Sequence, residues 1–186
     1  MTGKDRGRPQ TVSLVALEDA AGELFLEQGY RETSIDDIAQ RAGISRASFF
    51  NHCATKSDVL WVDADNALDT VEKKLRHGVS LAEALESVAA SHPHDRIPLI
   101  ATQAEAMGIG PALAESAGVR VARLQAAVVS AGVDPADVWL VTGVLIGVAH
   151  EWATGSSPRS PLSELLEERL APLRSIVGSK TRATLF

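Results

Sequence analysis

Apolar residues recur along this chain at steps of three and four, the period of an amphipathic helix, and no stretch alternates convincingly as a strand would. Glycine or proline stands at most boundaries between the periodic stretches, as expected at helix ends. The periodic stretches are 11–28, 35–42, 46–52, 56–77, 81–90, 95–107, 112–131, 136–154 and 162–177. The pattern predicts an all-α protein of about nine helices, in which Pro172 bends or breaks the last helix.

The composition is that of a folded protein, with 45% hydrophobic and 23% charged residues. Aromatic residues make up only 4%, so Ala, Leu, Val and Ile must fill most of the core. The most apolar run, 138–149, is too short to cross a bilayer. Because the N-terminus is also polar and lacks an apolar signal segment, we expect a soluble, cytoplasmic protein.

The stretch from Tyr30 to Lys56 contains two short helical segments joined by a tight turn at residues 42–44. A hydroxyl from Thr33 or Ser34 can cap the first segment, and Ser45 can cap the second. This spacing predicts a helix-turn-helix, whose second helix enters a major groove about 12 Å wide. The alternative is a helical hairpin with a solvated polar face.

The net charge of −6 at first argues against a nucleic-acid partner. However, salt limits the reach of surface charge to about 8–10 Å at physiological ionic strength, so the local balance matters more. Residues 43–57 contain Arg46 and Lys56 and no acidic residue, and residues 1–10 hold three basic residues against one acidic residue. Both segments are therefore locally basic. The arm 1–10 is either a disordered terminus or a contact to DNA phosphates or a minor groove.

The second helical segment offers side chains suited to reading bases. Arg46 can bind a guanine edge and Asn51 an adenine edge, each contributing about 1–3 kcal/mol of discrimination, with Ser48 beside them. Phe49 is the expected anchor to the core. The predicted DNA-binding residues are Thr33, Ser45, Arg46, Ala47, Ser48, Phe50, Asn51, His52 and Lys56. Of these, Thr33, Ser45, His52 and Lys56 are assigned to phosphates, which fix register without reading sequence.

Residues 20–60, AAGELFLEQGYRETSIDDIAQRAGISRASFFNHCATKSDVL, resemble the N-terminal domain of TetR/AcrR-family regulators. The shared elements are LF-x-x-x-GY, T-S-I-x-D-I-A, the A-G-I-S turn, and an aromatic-x-H followed by K-x-x-L. Two positions depart from the family pattern: Phe50 replaces a common Tyr, and Cys53-Ala54 replaces Phe-Pro. Cys53 is expected to be a small core residue; the alternative is a redox-sensing thiol, which could pair only between chains because the protein has one cysteine.

The resemblance implies a division of the chain into an arm (1–10), a helix-turn-helix domain (11–55), a ligand-binding and dimerisation domain (56–178) and a tail (179–186). Family members pair through their last two helices, and here the residues expected at a dimer interface are Val141, Leu145, Val148, Trp152, Leu166, Leu170 and Leu173. The alternative is that both helices serve the core of a single chain. The residues expected to line a ligand pocket are Trp61, Leu68, Leu99, Gln103, Met107, Leu124 and Trp139, for which plain core positions are the alternative.

The resemblance further implies a ligand-responsive transcriptional regulator, acting as a homodimer on a pseudo-palindromic operator and most often as a repressor. The FF pair with the following KSDVLW resembles an actinobacterial subgroup that includes mycofactocin-system regulators. The ligands of that subgroup are thought to be acyl-CoA thioesters. The resemblance therefore implies an apolar or acyl-CoA-like small molecule as the ligand. The competing interpretation is a helical interaction or architectural module with a weakened DNA-binding unit, which Phe50, Cys53 and the negative charge favour.

An enzyme is not expected, because the sequence shows no pairing of a nucleophile with a base and no Gly-rich loop that would bind phosphate. No cofactor or metal is predicted either. The pair His92 and His94 lacks a cysteine partner and a fixed helical spacing, and His150 lacks a second histidine.

Overall fold

The described residues, 14–92, 99–155 and 159–177 of a computed structural model, form helices and turns with no strand among them. The predicted arm (1–10) and tail (179–186) lie outside these ranges. The α-helices are α1 (Leu14–Gln28), α2 (Ile35–Arg41), α3 (Arg46–Phe50), α4 (Val62–Arg76), α5 (Leu81–Ser91), α6 (Leu99–Thr102), α7 (Ala104–Met107), α8 (Gly110–Ser130), α9 (Val138–Thr154), α10 (Leu162–Leu170) and α11 (Arg174–Val177). Two 3-10 helices, Lys56–Trp61 and Ala171–Leu173, precede α4 and join α10 to α11. The all-α prediction is confirmed.

Three of the predicted helices are interrupted. The predicted helix 56–77 begins as the 3-10 helix and becomes α-helical only after Trp61, whose backbone (φ −120°, ψ 8°) is not helical. The predicted helix 95–107 is wrong as one element, because its described part is divided at Gln103 into α6 and α7. The break near Pro172 is confirmed, since proline lacks the N–H that an α-helix would use there.

Side-chain caps set the geometry of the helix-turn-helix. Ser34, rather than Thr33, caps α2: its hydroxyl accepts from the N–H of Asp37 at 3.1 Å, while the Asp37 carboxylate accepts from the Ser34 N–H at 2.8 Å. Ser45 caps α3 as predicted, accepting from the N–H of Ser48 at 3.1 Å. Gly43, in the turn between the two helices, has φ +70°, a conformation that other residues adopt at a cost.

Two apolar clusters form the core. The N-terminal cluster joins α1, α2, α3 and the first 3-10 helix, and it also takes in Ile100, Met107 and Ile109 from the α6–α8 region. The second cluster joins α4, α5, α8, α9 and α10. The backbone N–H of Tyr30 donates to the carbonyl oxygen of Met107 at 3.0 Å, which ties the helix-turn-helix to α7. Packing therefore crosses the boundary at residue 55 that we predict from the sequence.

The residues predicted for the dimer interface lie mainly inside one chain. Five of them are at most 9% exposed and belong to the second cluster: Val141, Leu145, Val148, Leu166 and Leu173. Trp152 and Leu170 are half-buried against the same cluster. A side chain already covered by its own chain adds little to an interface, so the five buried residues are not available to a partner chain. For Trp152 and Leu170, which keep part of their surface, an interface role stays a prediction. The opposite face of α9 carries the exposed Trp139, Leu140 and Ile146.

Within the described ranges, no helix combines the length and the apolar character needed to cross a membrane.

Candidate nucleic-acid interface

The aromatic side chain of Phe49 anchors helix α3 to the core. Phe49 is fully buried in the N-terminal cluster, which confirms it as the anchor, and its ring meets that of Phe50 edge-on with centroids 5.5 Å apart. This anchoring leaves the other predicted interface residues of α3, and the two that follow it, facing outward or half-buried. Arg46, Ala47 and Phe50 are exposed on α3 and Ser48 is half-buried, while Asn51 and His52 are exposed just after the helix ends.

The Arg46 side chain is exposed and contacts Asp36 and Phe50. Its Nη1 donates to Asp36 Oδ1 at 2.8 Å, and its guanidinium lies 5.3 Å from the centroid of the Phe50 ring. The Arg46 and Asp36 side chains are 56% and 66% exposed, and an ion pair so accessible to water contributes little to stability. Arg46 can therefore leave Asp36 for a guanine edge or a phosphate at small cost.

The hydroxyls at the start of α3 serve the helix and also face solvent. Ser45 Oγ and Ser48 Oγ lie 3.1 Å apart, and Ser45 accepts from the Ser48 N–H with a lone pair. Hydroxyl hydrogens and the first amides of a helix are suitable donors to phosphate oxygens.

Thr33 does not lie on this surface, which corrects the sequence prediction. Its side chain is 1% exposed, and its hydroxyl donates to the carbonyl oxygen of Gly29 at 2.9 Å while accepting from Gln28 Nε2 at 3.2 Å. The Thr33 side chain therefore closes the α1–α2 loop and is not available for a phosphate.

Lys56 is engaged by the protein itself. Its ammonium donates to the carbonyl oxygens of Tyr30 at 2.7 Å and Thr33 at 2.8 Å, and it lies 4.1 Å from the centroid of the Tyr30 ring. Burial lowers the pKa of Lys56, against an opposite influence from Glu32. Lys56 thus fastens the first 3-10 helix to the α1–α2 loop, which was not predictable from the sequence because these residues are separated by more than twenty positions.

Cys53 is a core residue. It is 3% exposed in the N-terminal cluster, and burial raises the pKa of its thiol to about 11. A thiol that stays protonated and covered is a poor nucleophile, so the placement favours the core interpretation over a redox sensor.

The seven residues predicted for a ligand pocket differ in their burial and in the cluster that they pack against. Trp61 and Met107 pack in or against the N-terminal cluster, Leu124 packs against the second, and Leu68 is buried. The other three differ in placement: Gln103 is exposed, Trp139 is 70% exposed, and the side chain of Leu99 lies outside the described part. Gln103 and Trp139 thus lie on the surface, whereas a pocket lined by the buried residues of the set stays a prediction.

Three side chains of α8 and α9 have buried polar atoms without a hydrogen-bond partner within the described ranges. These atoms are Gln125 Nε2, Thr142 Oγ1 and Trp152 Nε1. All three belong to α8 or α9, and leaving such a group unpaired costs about 1–3 kcal/mol.

The sequence model of the family described as "Bacterial regulatory proteins, tetR family" matches residues 17–60. These residues are the segment that carries Phe49 and the surface around α3. The N-terminal domain of this chain is a TetR-family domain.

Two relatives share this TetR-family domain. MftR of Mycobacterium tuberculosis, named for transcriptional regulation of mycofactocin biosynthesis, is 31% identical over 86 residues, covering 42% of this chain and 43% of that protein. The HTH-type transcriptional activator FasR of Mycolicibacterium smegmatis is 36% identical over 61 residues, covering 31% of this chain and 28% of that protein. The match thus spans less than half the length of these relatives.

A crystal structure of a protein assigned to the TetR-family regulators, from Mesorhizobium loti, is 20% identical to the chain, with a TM-score of 0.48 over 88% of this chain and 95% of that one.

Proposed function

We propose that this protein is a transcriptional regulator that binds double-stranded DNA by placing α3 in the major groove. The observation that carries the proposal is the anchoring of Phe49, which leaves Arg46, Phe50 and Asn51 exposed on one side of a TetR-family domain. Arg46 and Asn51 supply the hydrogen-bond geometry for guanine and adenine, and Phe50 supplies an apolar contact suited to a thymine methyl group.

The revised interface consists of Ser45, Arg46, Ala47, Ser48, Phe50, Asn51 and His52. Ser45 and His52 are the backbone contacts. Lys56 supports the interface by holding the domain together, since at least two of its three N–H groups are already used.

We also propose that the protein pairs with a second copy through the exposed face of α9. Trp139, Leu140 and Ile146 are 70%, 50% and 42% exposed, and the run 138–150 contains no Asp, Glu, Lys or Arg. A Cβ added at Gly143 or Gly147 would meet nothing within 4 Å in the chain, so a partner helix can approach there closely. Exposed apolar surface of this kind is typical of an interface, and a two-fold dimer presents two copies of α3 to a pseudo-palindromic site.

A small molecule is the proposed regulator of DNA binding. The support is that buried polar atoms on α8 and α9 lack a hydrogen-bond partner among the described residues, and a ligand that reaches one of them can supply that partner. An acyl-CoA thioester is the class that the sequence resemblance suggests. Ligand binding would favour a conformation in which the two α3 helices are misplaced for the operator, giving repression that the ligand relieves.

The experiment that tests DNA binding begins with selection of sequences from a random duplex pool, followed by affinity measurements at several salt concentrations. We expect a preferred sequence and an affinity that falls steeply with salt, since phosphate contacts release counterions. Arg46→Gln should weaken the preference at one base position, whereas Arg76→Gln, an exposed arginine at the end of α4, should not. Binding without sequence preference, or none, would support the architectural alternative.

The ligand proposal has a separate test. Acyl-CoA thioesters of increasing chain length are added to the preformed complex with the selected DNA, with free coenzyme A as control. Release of DNA by one range of chain lengths is the expected result. No effect at any length contradicts an acyl-CoA ligand without affecting the evidence for DNA binding. A reporter gene placed behind the selected sequence then decides between repression and activation.

A further inference from the structure

One carboxylate connects the segment that follows α3 to helix α8. Asp58 lies in the first 3-10 helix, a few residues after α3, and its Oδ2 accepts from the backbone N–H of Thr55 at 2.8 Å. This bond caps the N-terminus of the 3-10 helix, which follows the DNA-binding surface along the chain. The other oxygen, Asp58 Oδ1, accepts from Arg120 Nη2 at 2.8 Å. Asp58 therefore joins the end of the helix-turn-helix to α8, 62 residues further along the chain.

Arg120 contacts three elements at once. Its Nη2 donates to Asp58 and, at 2.8 Å, to Asp65 on α4, and its Nη1 donates to the Ser116 carbonyl oxygen on α8 at 3.1 Å. The Arg120 side chain is 11% exposed, and its guanidinium lies 5.4 Å from the centroid of the Trp61 ring. Trp61 is fixed in turn, because its Nε1 donates to Ser116 Oγ at 2.8 Å.

The planar guanidinium makes this contact directional. Donors at fixed angles hold two carboxylates in one orientation, which a flexible ammonium cannot do. Burial disfavours the charged Asp58, but the hydrogen bonds from Arg120 and Thr55 outweigh it and hold the pKa of Asp58 below its usual value. A charge pair this well covered is costly to separate, so the pair restrains the position of the 3-10 helix against α8 together with the Trp61–Ser116 hydrogen bond.

Arg123, one turn along α8, provides the contrast. It pairs with Asp65 at 3.3 Å, Asp69 at 2.6 Å and Glu72 at 3.0 Å, all on α4. None of these pairs reaches the first 3-10 helix. The two arginines are thus alike in helix, chemistry and partners, and they differ in that Arg120 holds the segment leading from α3.

We propose that Arg120 is a positioning residue for DNA binding, which acts through Asp58 to fix the orientation of α3 relative to α8. The inference rests on the proposed function. Helix α8 packs against α9, whose outer face is the proposed dimer surface, so the Asp58–Arg120 pair sets the separation of the two α3 helices. Asp65 is shared by both arginines, so the Asp58–Arg120 pair is part of a network that also reaches α4.

The test uses the full chain and the DNA sequence selected by the wild type. Affinity is measured for the two-half-site duplex, for duplexes in which the half-sites are moved apart or together by one and two base pairs, and for a single half-site. The variants are Asp58→Asn, with Asp69→Asn as its matched control, and Arg120→Lys, with Arg123→Lys as its control. Folding of each variant is followed by urea denaturation.

We expect Asp58→Asn and Arg120→Lys to weaken binding at the preferred spacing by about tenfold and to flatten the dependence on spacing. Binding to a single half-site should stay within about twofold, because the residues that touch DNA are unchanged. The two control variants should keep the wild-type spacing preference even if they lose stability.

Folded Asp58→Asn or Arg120→Lys protein that keeps the wild-type spacing preference overturns the inference, as does an equal loss on the single half-site. If one of the pair does not fold, the other decides, since Arg120→Lys retains the charge and Asp58→Asn leaves the Arg120–Asp65 pair intact. A wild-type protein that shows no sequence-preferring binding would instead contradict the proposed function, and this inference with it.

Discussion

The ammonium nitrogen of Lys56 lies 4.1 Å from the centre of the Tyr30 ring and 2.7 Å from the Tyr30 carbonyl oxygen. The same tyrosine packs its ring edge-on against Phe25, with centroids 5.1 Å apart, and donates its N–H to Met107. Tyr30 is therefore the point at which α1, the first 3-10 helix and α7 meet. The position of α3 depends on this meeting point as well as on its own anchor, Phe49.

Lys56→Met should destabilise the protein. The change removes two charge-assisted hydrogen bonds and a cation–π contact, and we expect the free energy of unfolding to fall by about 2 kcal/mol. Urea denaturation followed by far-UV circular dichroism measures this. Lys73→Met, in the exposed last turn of α4, is the matched control and should cost less than about 1 kcal/mol. A Lys56→Met protein as stable as the control would show that the contacts to Tyr30 and Thr33 contribute nothing.

Asp36→Asn should strengthen DNA binding. The change removes a negative charge from beside α3 and frees Arg46 from its ion pair, so we expect an increase in affinity of about threefold at low salt that fades as salt rises. Fluorescence anisotropy with the selected duplex measures the effect. Asp63→Asn, on α4, is the comparison and should leave affinity unchanged. Weaker binding by Asp36→Asn would mean that Asp36 orients Arg46 for its base.

Cys53 should be protected from thiol reagents in the folded protein. Because it is buried and its pKa is raised to about 11, labelling by a disulfide reagent at pH 8 should be slow in buffer and fast in urea. Rapid labelling of the folded protein would revive the redox-sensor interpretation.

Since the folded pKa lies above that of an unfolded cysteine, the stability that Cys53 confers is complete below about pH 8.5 and is lost as the pH rises towards 11. A Cys53→Ala variant should lack that component of the pH dependence.

Ile146→Glu should prevent pairing of two copies. A charge at the centre of the exposed α9 face would be buried without a partner in a dimer, and we expect the dissociation constant to rise at least tenfold. Analytical ultracentrifugation measures the state of association. Leu26→Glu, at a residue of α1 that is exposed to the same 42%, is the matched control and should leave the dimer intact. A wild-type protein that is monomeric at high concentration contradicts the proposed interface directly.

The sequence determined the helical class and the starts of α2 and α3 in the DNA-binding unit. Periodicity marks an apolar face without reference to the rest of the chain, and a cap such as Ser45 acts on amides only three residues away. Phe49 could be recognised as the anchor, since it is a large apolar side chain within a short segment that also carries Arg46 and Ser48. These are short-range properties, which one sequence records completely.

Only the tertiary structure decided which apolar face of α9 is covered and which polar groups already have hydrogen-bond partners within the chain. Helix α9 is apolar almost all round, so its sequence could not show that Val141 faces the core and Trp139 faces solvent. Likewise, Lys56 and Arg120 find their partners 26 and 62 residues away. A side chain's free donors depend on what the fold brings beside it, and that is a property of packing rather than of spacing along the chain.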